Sequence, residues 1–128
     1  MIAQRISSLK EVAELARVEG QLRCALRDFL DGFYAEPTSG KVCDEPIFLE
    51  PWLNDGGIVD AYLAATCDHL CRQYMLSRPA WIMGPRRVLT TPYFAAKTHE
   101  LRMIYLQESP TAFKQRNIFV SANALSRA

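Results

Sequence analysis

No stretch of this sequence approaches the roughly 20 uninterrupted apolar residues that a membrane-spanning helix needs. Its first residues, Met1-Ile2-Ala3-Gln4-Arg5, lack the apolar run of a secretion signal. Both readings lead to the expectation of a cytoplasmic chain with no membrane partner. An excess of one charge is missing too: 15 Lys and Arg stand against 14 Asp and Glu, for a net +1. That excludes a global polycation gripping nucleic acid without sequence preference. Histidine is scarce, at 2, and cysteine at 4. Four cysteines in a chain kept reduced are expected to be buried thiols rather than a disulfide framework. Phosphate-loop, dinucleotide-binding, H-E-x-x-H, G-x-S-x-G and EF-hand patterns are absent, as are internal repeats and low-complexity tracts.

What is present is apolar. Hydrophobic residues make up 49% of the 128, enough to build a core without metals or disulfides. A single domain spanning 1–128 is expected. Ser8-Leu9-Lys10-Glu11 fits a capping box. Leu15, Val18, Leu22, Leu26, Phe29, Leu30 and Phe33 then recur at steps of three and four, which predicts one amphipathic helix, bent or divided at Gly20. Pro37-Thr38-Ser39-Gly40 ends it. Pro46 and Pro51 make residues 37–57 irregular, with a helical turn after Pro51. Residues 58–74 form the clearest helix, with Asp60, Asp68 and Arg72 on the side away from its apolar stripe. Pro79, Pro85 and Pro92 turn the next segment into a connection with short helical turns at most. A third long helix is predicted over 95–107, burying Leu101, Ile104 and Tyr105. Ser109-Pro110 is read as the start of a short helix carrying Phe113, and Ser121 as the cap of a last one holding Leu125. Ile118–Val120 has the composition of a short extended pair. The expected fold is all-α, an irregular bundle of three longer helices with short C-terminal helices and proline-rich connections. The tail is expected to dock on its own domain, Phe113, Phe119 and Leu125 facing the first and third long helices.

Several constellations could carry chemistry. Cys67 and Cys71 share a helix face, as two metal ligands would. They also lie on the apolar stripe, where core thiols belong, and His69 points to nearly the opposite side. His69 and His99 sit among polar neighbours as surface residues would. Gly56-Gly57 suits a hinge or a tight turn. The stretch "SLKEVAELARV" invites a DNA-reading helix-turn-helix, but Arg17 stands at the turn glycine and Arg23 at the expected buried position of the second helix. No cofactor and no metal is expected.

Charge is unevenly spread. From Asp28 to Asp68 there are nine acids and one base, Lys41; from Arg72 to Arg127 there are nine bases and two acids, Glu100 and Glu108. The halves either face each other in the fold or leave a basic surface for an acidic partner. On the second reading Arg86, Arg87, Lys114 and Arg116 are the candidate contact residues.

The segments "DFLDGFYAEP", "DAYLAATCDHLCRQ", "PAW" and "ESPTAFKQRNIFVSANALSRA" resemble a group of uncharacterised small bacterial helical proteins. Similar segments follow DNA-binding helix-turn-helix domains in regulator or antitoxin-like chains. The resemblance runs from Asp28 onward, supplies no catalytic residues, and implies a regulatory or antitoxin-like role in a bacterium. With no nucleophile, acid–base pair or metal set assembling, the expected function is a non-catalytic helical interaction module with a protein partner, a second copy of the chain being one candidate. The alternative is a small nucleic-acid-binding regulator using the basic second half.

Overall fold

The computed structural model describes residues 6–17 and 21–126. Val18, Glu19 and Gly20, and Arg127 among the counted bases, lie outside that range. The chain is mainly α. Helix α1 is Leu9–Ala16, and Ser8 Oγ accepts from the Glu11 backbone N–H at 3.2 Å, as the capping box predicts. Helix α2 is Leu22–Ala35. The predicted stripe is therefore split between two helices that pack on each other. Helix α1 buries Leu9, Val12, Ala13 and Ala16, the i, i+3, i+4, i+7 positions of its own inner face. Leu15, placed on the stripe by the one-helix reading, is consequently exposed.

Helix α3 is the expected turn around Pro51, Glu50–Leu53. Helix α4, Ile58–Tyr74, runs through the middle of the molecule. Gly56 and Gly57 have φ of +73° and +88°, left-handed values that glycine adopts without steric cost. The turn they make lets Asp55 accept from the Gly57 and Val59 N–H groups at 2.9 Å each, satisfying donors at the start of α4. The proline-rich connection contains two 3₁₀ turns, Ala80–Met83 and Pro85–Arg87. Strand β1 (Tyr93–Phe94) pairs in parallel with β2 (Ile118–Phe119), Tyr93 opposite Ile118 and Phe94 opposite Phe119.

Helix α5 is His99–Glu108 and α6 is Thr111–Lys114. Helix α5 starts at the Thr98 cap rather than at Ala95. Ser109 does not cap α6. Its hydroxyl donates to the Val120 carbonyl at 2.9 Å and accepts from the Val120 N–H at 2.8 Å, tying the end of α5 to β2. Residues 122–125 form turns, not a last helix.

The tail docks on its own chain, though not where periodicity placed it. Phe113 is fully buried against α4, its ring edge-on to Tyr62 at 5.2 Å. Leu125 is buried, and its carbonyl accepts from the Tyr34 hydroxyl of α2 at 2.7 Å. Phe119 is half-buried and stacks on Phe94 at 4.7 Å. The middle helix α4, not α5, receives most of the tail.

Candidate functional site

Helix α4 brings two carboxylates, Asp60 and Asp68, into the interior rather than onto its outer face. Burying a charge is costly unless it is paired and hydrogen-bonded, and each has gathered arginines from the second half. Asp68 accepts from Arg72 Nε at 2.8 Å, Arg116 Nη1 at 2.9 Å and Arg78 Nη1 at 3.1 Å. Burial alone pushes its carboxyl up; the hydrogen bonds from Arg72, Arg116 and Arg78 outweigh that and hold it below the usual carboxylate range. Arg116 also donates to the Ala112 and Ile82 carbonyls, at 2.8 and 3.0 Å. It thereby fastens α6 and the first 3₁₀ turn to α4.

Asp60 accepts from the Leu49 and Glu50 N–H groups at 2.6 and 3.2 Å. Arg87 lies 3.9 Å from it and donates to the Pro46 carbonyl at 2.6 Å, the Asp60 carbonyl at 3.3 Å and Glu45 Oε2 at 3.1 Å. Its guanidinium sits 4.1 Å from the Phe48 ring centre and 4.9 Å from that of Trp81. Burial holds the Arg87 guanidinium below its ordinary value, and Glu45 and Asp60 oppose that shift without cancelling it.

The acidic and basic halves thus meet inside the molecule. Of the four candidate contact residues, Arg87, at 0% exposure, and Arg116 are interior, and only Arg86 and Lys114 are exposed. Arg86 lies over the Phe48 ring at 3.9 Å, and Lys114 Nζ donates to the Gln107 carbonyl at 2.9 Å. The four make no common surface. Sequence position could not show this, because adjacent Arg86 and Arg87 meet the same Phe48 ring, one from solvent and the other from the interior.

Cys67 and Cys71 are both fully buried, and burial raises both thiols. Such thiols are poor nucleophiles at neutral pH. Cys24 and Cys43 are exposed, contrary to the expectation of four buried thiols. His99 is exposed; His69 is half-buried beside Phe113 and lines a polar cavity of about 560 Å³ with Asp31, Tyr34, Gln73 and Tyr74. Burial lowers the His69 imidazole further below its ordinary value, so it is mostly neutral at pH 7.

The feature that sequence reasoning missed is α5. Not one of its residues is buried. Leu101, Met103, Ile104 and Leu106 keep 39, 49, 49 and 44% of their surface in solvent. The expected burial of Leu101, Ile104 and Tyr105 is therefore corrected: Tyr105 is half-buried, and α5 leans on the Phe94–Phe119 stack, with Arg102 5.9 Å from the Phe94 ring, and leaves its aliphatic residues outside. A signal was present in the sequence. At 100° per residue, positions 101, 103, 104 and 106 go round the helix instead of lining one face. A helix apolar all round belongs inside something.

In comparison with known proteins, no family model, no curated protein and no solved structure matches the chain. Among the described residues no helix is long and apolar enough to cross a membrane, and no group of three or more His, Cys, Asp or Glu is placed to hold a metal ion.

Proposed function

We propose that the chain is a non-catalytic helical interaction module of regulatory or antitoxin-like type, and that α5 is the element it presents to a protein partner. The observation that carries this reading is the exposure of Leu101, Met103, Ile104 and Leu106 on a helix with no buried residue. Leu101 and Ile104, and likewise Met103 and Leu106, are neighbours at i,i+3, and exposed apolar patches mark interaction sites on folded proteins. Helix α5 is also firmly held for the purpose. The Thr98 side chain caps its start, Ser109 ties its end to β2, and the aromatic stack lies beneath it. A rigid helix loses little conformational freedom on binding. Arg72, Arg78, Arg87 and Arg116 are committed to Asp60, Asp68 and Glu45, which leaves fewer free cations for a phosphate backbone and favours a protein over nucleic acid.

The test uses tagged full-length chain recovered from its native host, compared with Leu101→Glu/Ile104→Glu. Glutamate is a good helix former, so the fold is expected to survive with an unchanged melting temperature. Loss of a stoichiometric bound protein in the variant supports the reading. A bound protein retained at full occupancy overturns the role of α5.

A further inference from the structure

A second site lies apart from α5. Between α2 and the first half of α4 is a groove of about 480 Å³, within the roughly 300–1,000 Å³ of small-molecule sites. Its lining is largely aliphatic and aromatic, with Leu26 and Leu30 from α2, Val59 and Tyr62 from α4, and Tyr93 from β1. Arg23 and Arg27 line the same groove. Four residues apart on α2, they share a helix face. Both are exposed, and neither makes an ion pair or hydrogen bond with a described residue, unlike the arginines gathered around Asp60 and Asp68. Of the acids nearest in sequence, Asp28 accepts from the Ile6 N–H at 2.9 Å and Asp31 lines the cavity beside His69, and both also border a small cavity on the other side of Arg27. Two like charges one turn apart repel, and an anion bridging them removes that repulsion. Burial pushes the Tyr62 phenol up to about 12, so it stays protonated at neutral pH, and its hydroxyl has no hydrogen-bond partner among the described residues.

We propose that this groove binds an amphipathic small molecule, an apolar chain ending in a carboxylate, with the chain along Leu26, Leu30 and Val59 and the carboxylate between Arg23 and Arg27. Guanidinium groups suit carboxylate oxygens because their N–H donors are planar and paired. From Leu26 to Leu30 helix α2 rises about 6 Å, and the groove continues across to Val59 and Tyr62 of α4. A partner helix is a worse fit, since a cylinder of helical dimensions fills this volume with roughly one turn.

Isothermal titration of the full chain with octanoate, decanoate and decanol tests the proposal. Saturable binding of one decanoate per chain is expected, tighter than octanoate and roughly tenfold or more tighter than decanol, because a charge-assisted contact is worth at least that factor. Arg23→Gln/Arg27→Gln should lose the same factor for decanoate and none for decanol, with an unchanged melting temperature. Equal binding of acid and alcohol, or an undiminished variant, overturns the carboxylate. Absence of saturable decanoate binding, with a protein partner lost in the same variant, assigns the groove to a peptide and overturns the proposal.

Discussion

Helices α4 and α5 are alike in sequence and opposite in fate. Both carry apolar residues on more than one side. In α4, ten of 17 residues are buried, two of them aspartates; in α5, none of ten is. The difference lies in what arrives from elsewhere in the chain. Helix α4 is covered by α3, by the two 3₁₀ turns and by α6, with α2 and the C-terminal turn alongside. Among the described residues, helix α5 packs chiefly on β2. An apolar helix is thus not a core helix until other elements close over it, and one left open is a surface waiting for a second molecule. Two buried arginines hold the covering elements on α4. Among the described residues, neither Nε has a hydrogen-bond partner.

The comparison breaks most visibly at Phe113. Replacing it with alanine empties a site between α6 and α4, and a loss of about 3–5 kcal/mol is expected. Against a typical total of about 5–15 kcal/mol this leaves a marginal or unfolded protein, readable as a collapse of the urea midpoint.

Asp68→Asn is expected to cost about 3 kcal/mol at neutral pH. The buried Arg116 would lose its counter-charge, while the partly exposed Arg72 and Arg78 would return to water. The pH dependence sharpens this. A carboxyl held low in the folded state stabilises fully above its unfolded value of about 3.9, and that contribution fades as pH falls through the lower folded value. Wild-type stability should therefore drop on acidification below about pH 4 more steeply than that of the variant, as urea denaturation at a series of pH values would show. Parallel acid limbs would show that Asp68 is not charged in the fold.

The smallest effect is expected on α5. Ile104→Ala should change stability by no more than about 0.5 kcal/mol, since half of the side chain is already in water and alanine favours helix. A loss of 2 kcal/mol or more, typical of a core isoleucine, would mean that α5 is enclosed in solution and would remove the basis for its docking role.

Local chemistry settled what needed only neighbours. The Ser8 cap, the Gly56-Gly57 turn, the helix over 58–74 and the helical turn at Pro51 depend on residues within a few positions, and all were legible; the extended segment at 118–119 was legible too, but its partner, Tyr93–Phe94, lies far back in the chain and was not. The division of the first predicted helix was half-legible through Gly20. Periodicity reports only that one side of a helix differs from another, so it could not tell that Leu15 would face water.

Other features were decided only by the tertiary structure. Whether Leu101 and Ile104 are buried depends on chain far away, and the tail went to α4 instead. Whether Arg87 and Arg116 are surface cations or interior fasteners depends on Asp60 and Asp68, which are 27 and 48 residues away in sequence. The sequence by itself determined the mainly helical class, the helix over 58–74, the Ser8 cap and a net charge near zero. Tertiary packing decided which charges meet and which apolar face stays open, because burial and ion pairing are properties of the space between elements, and no single element carries that information.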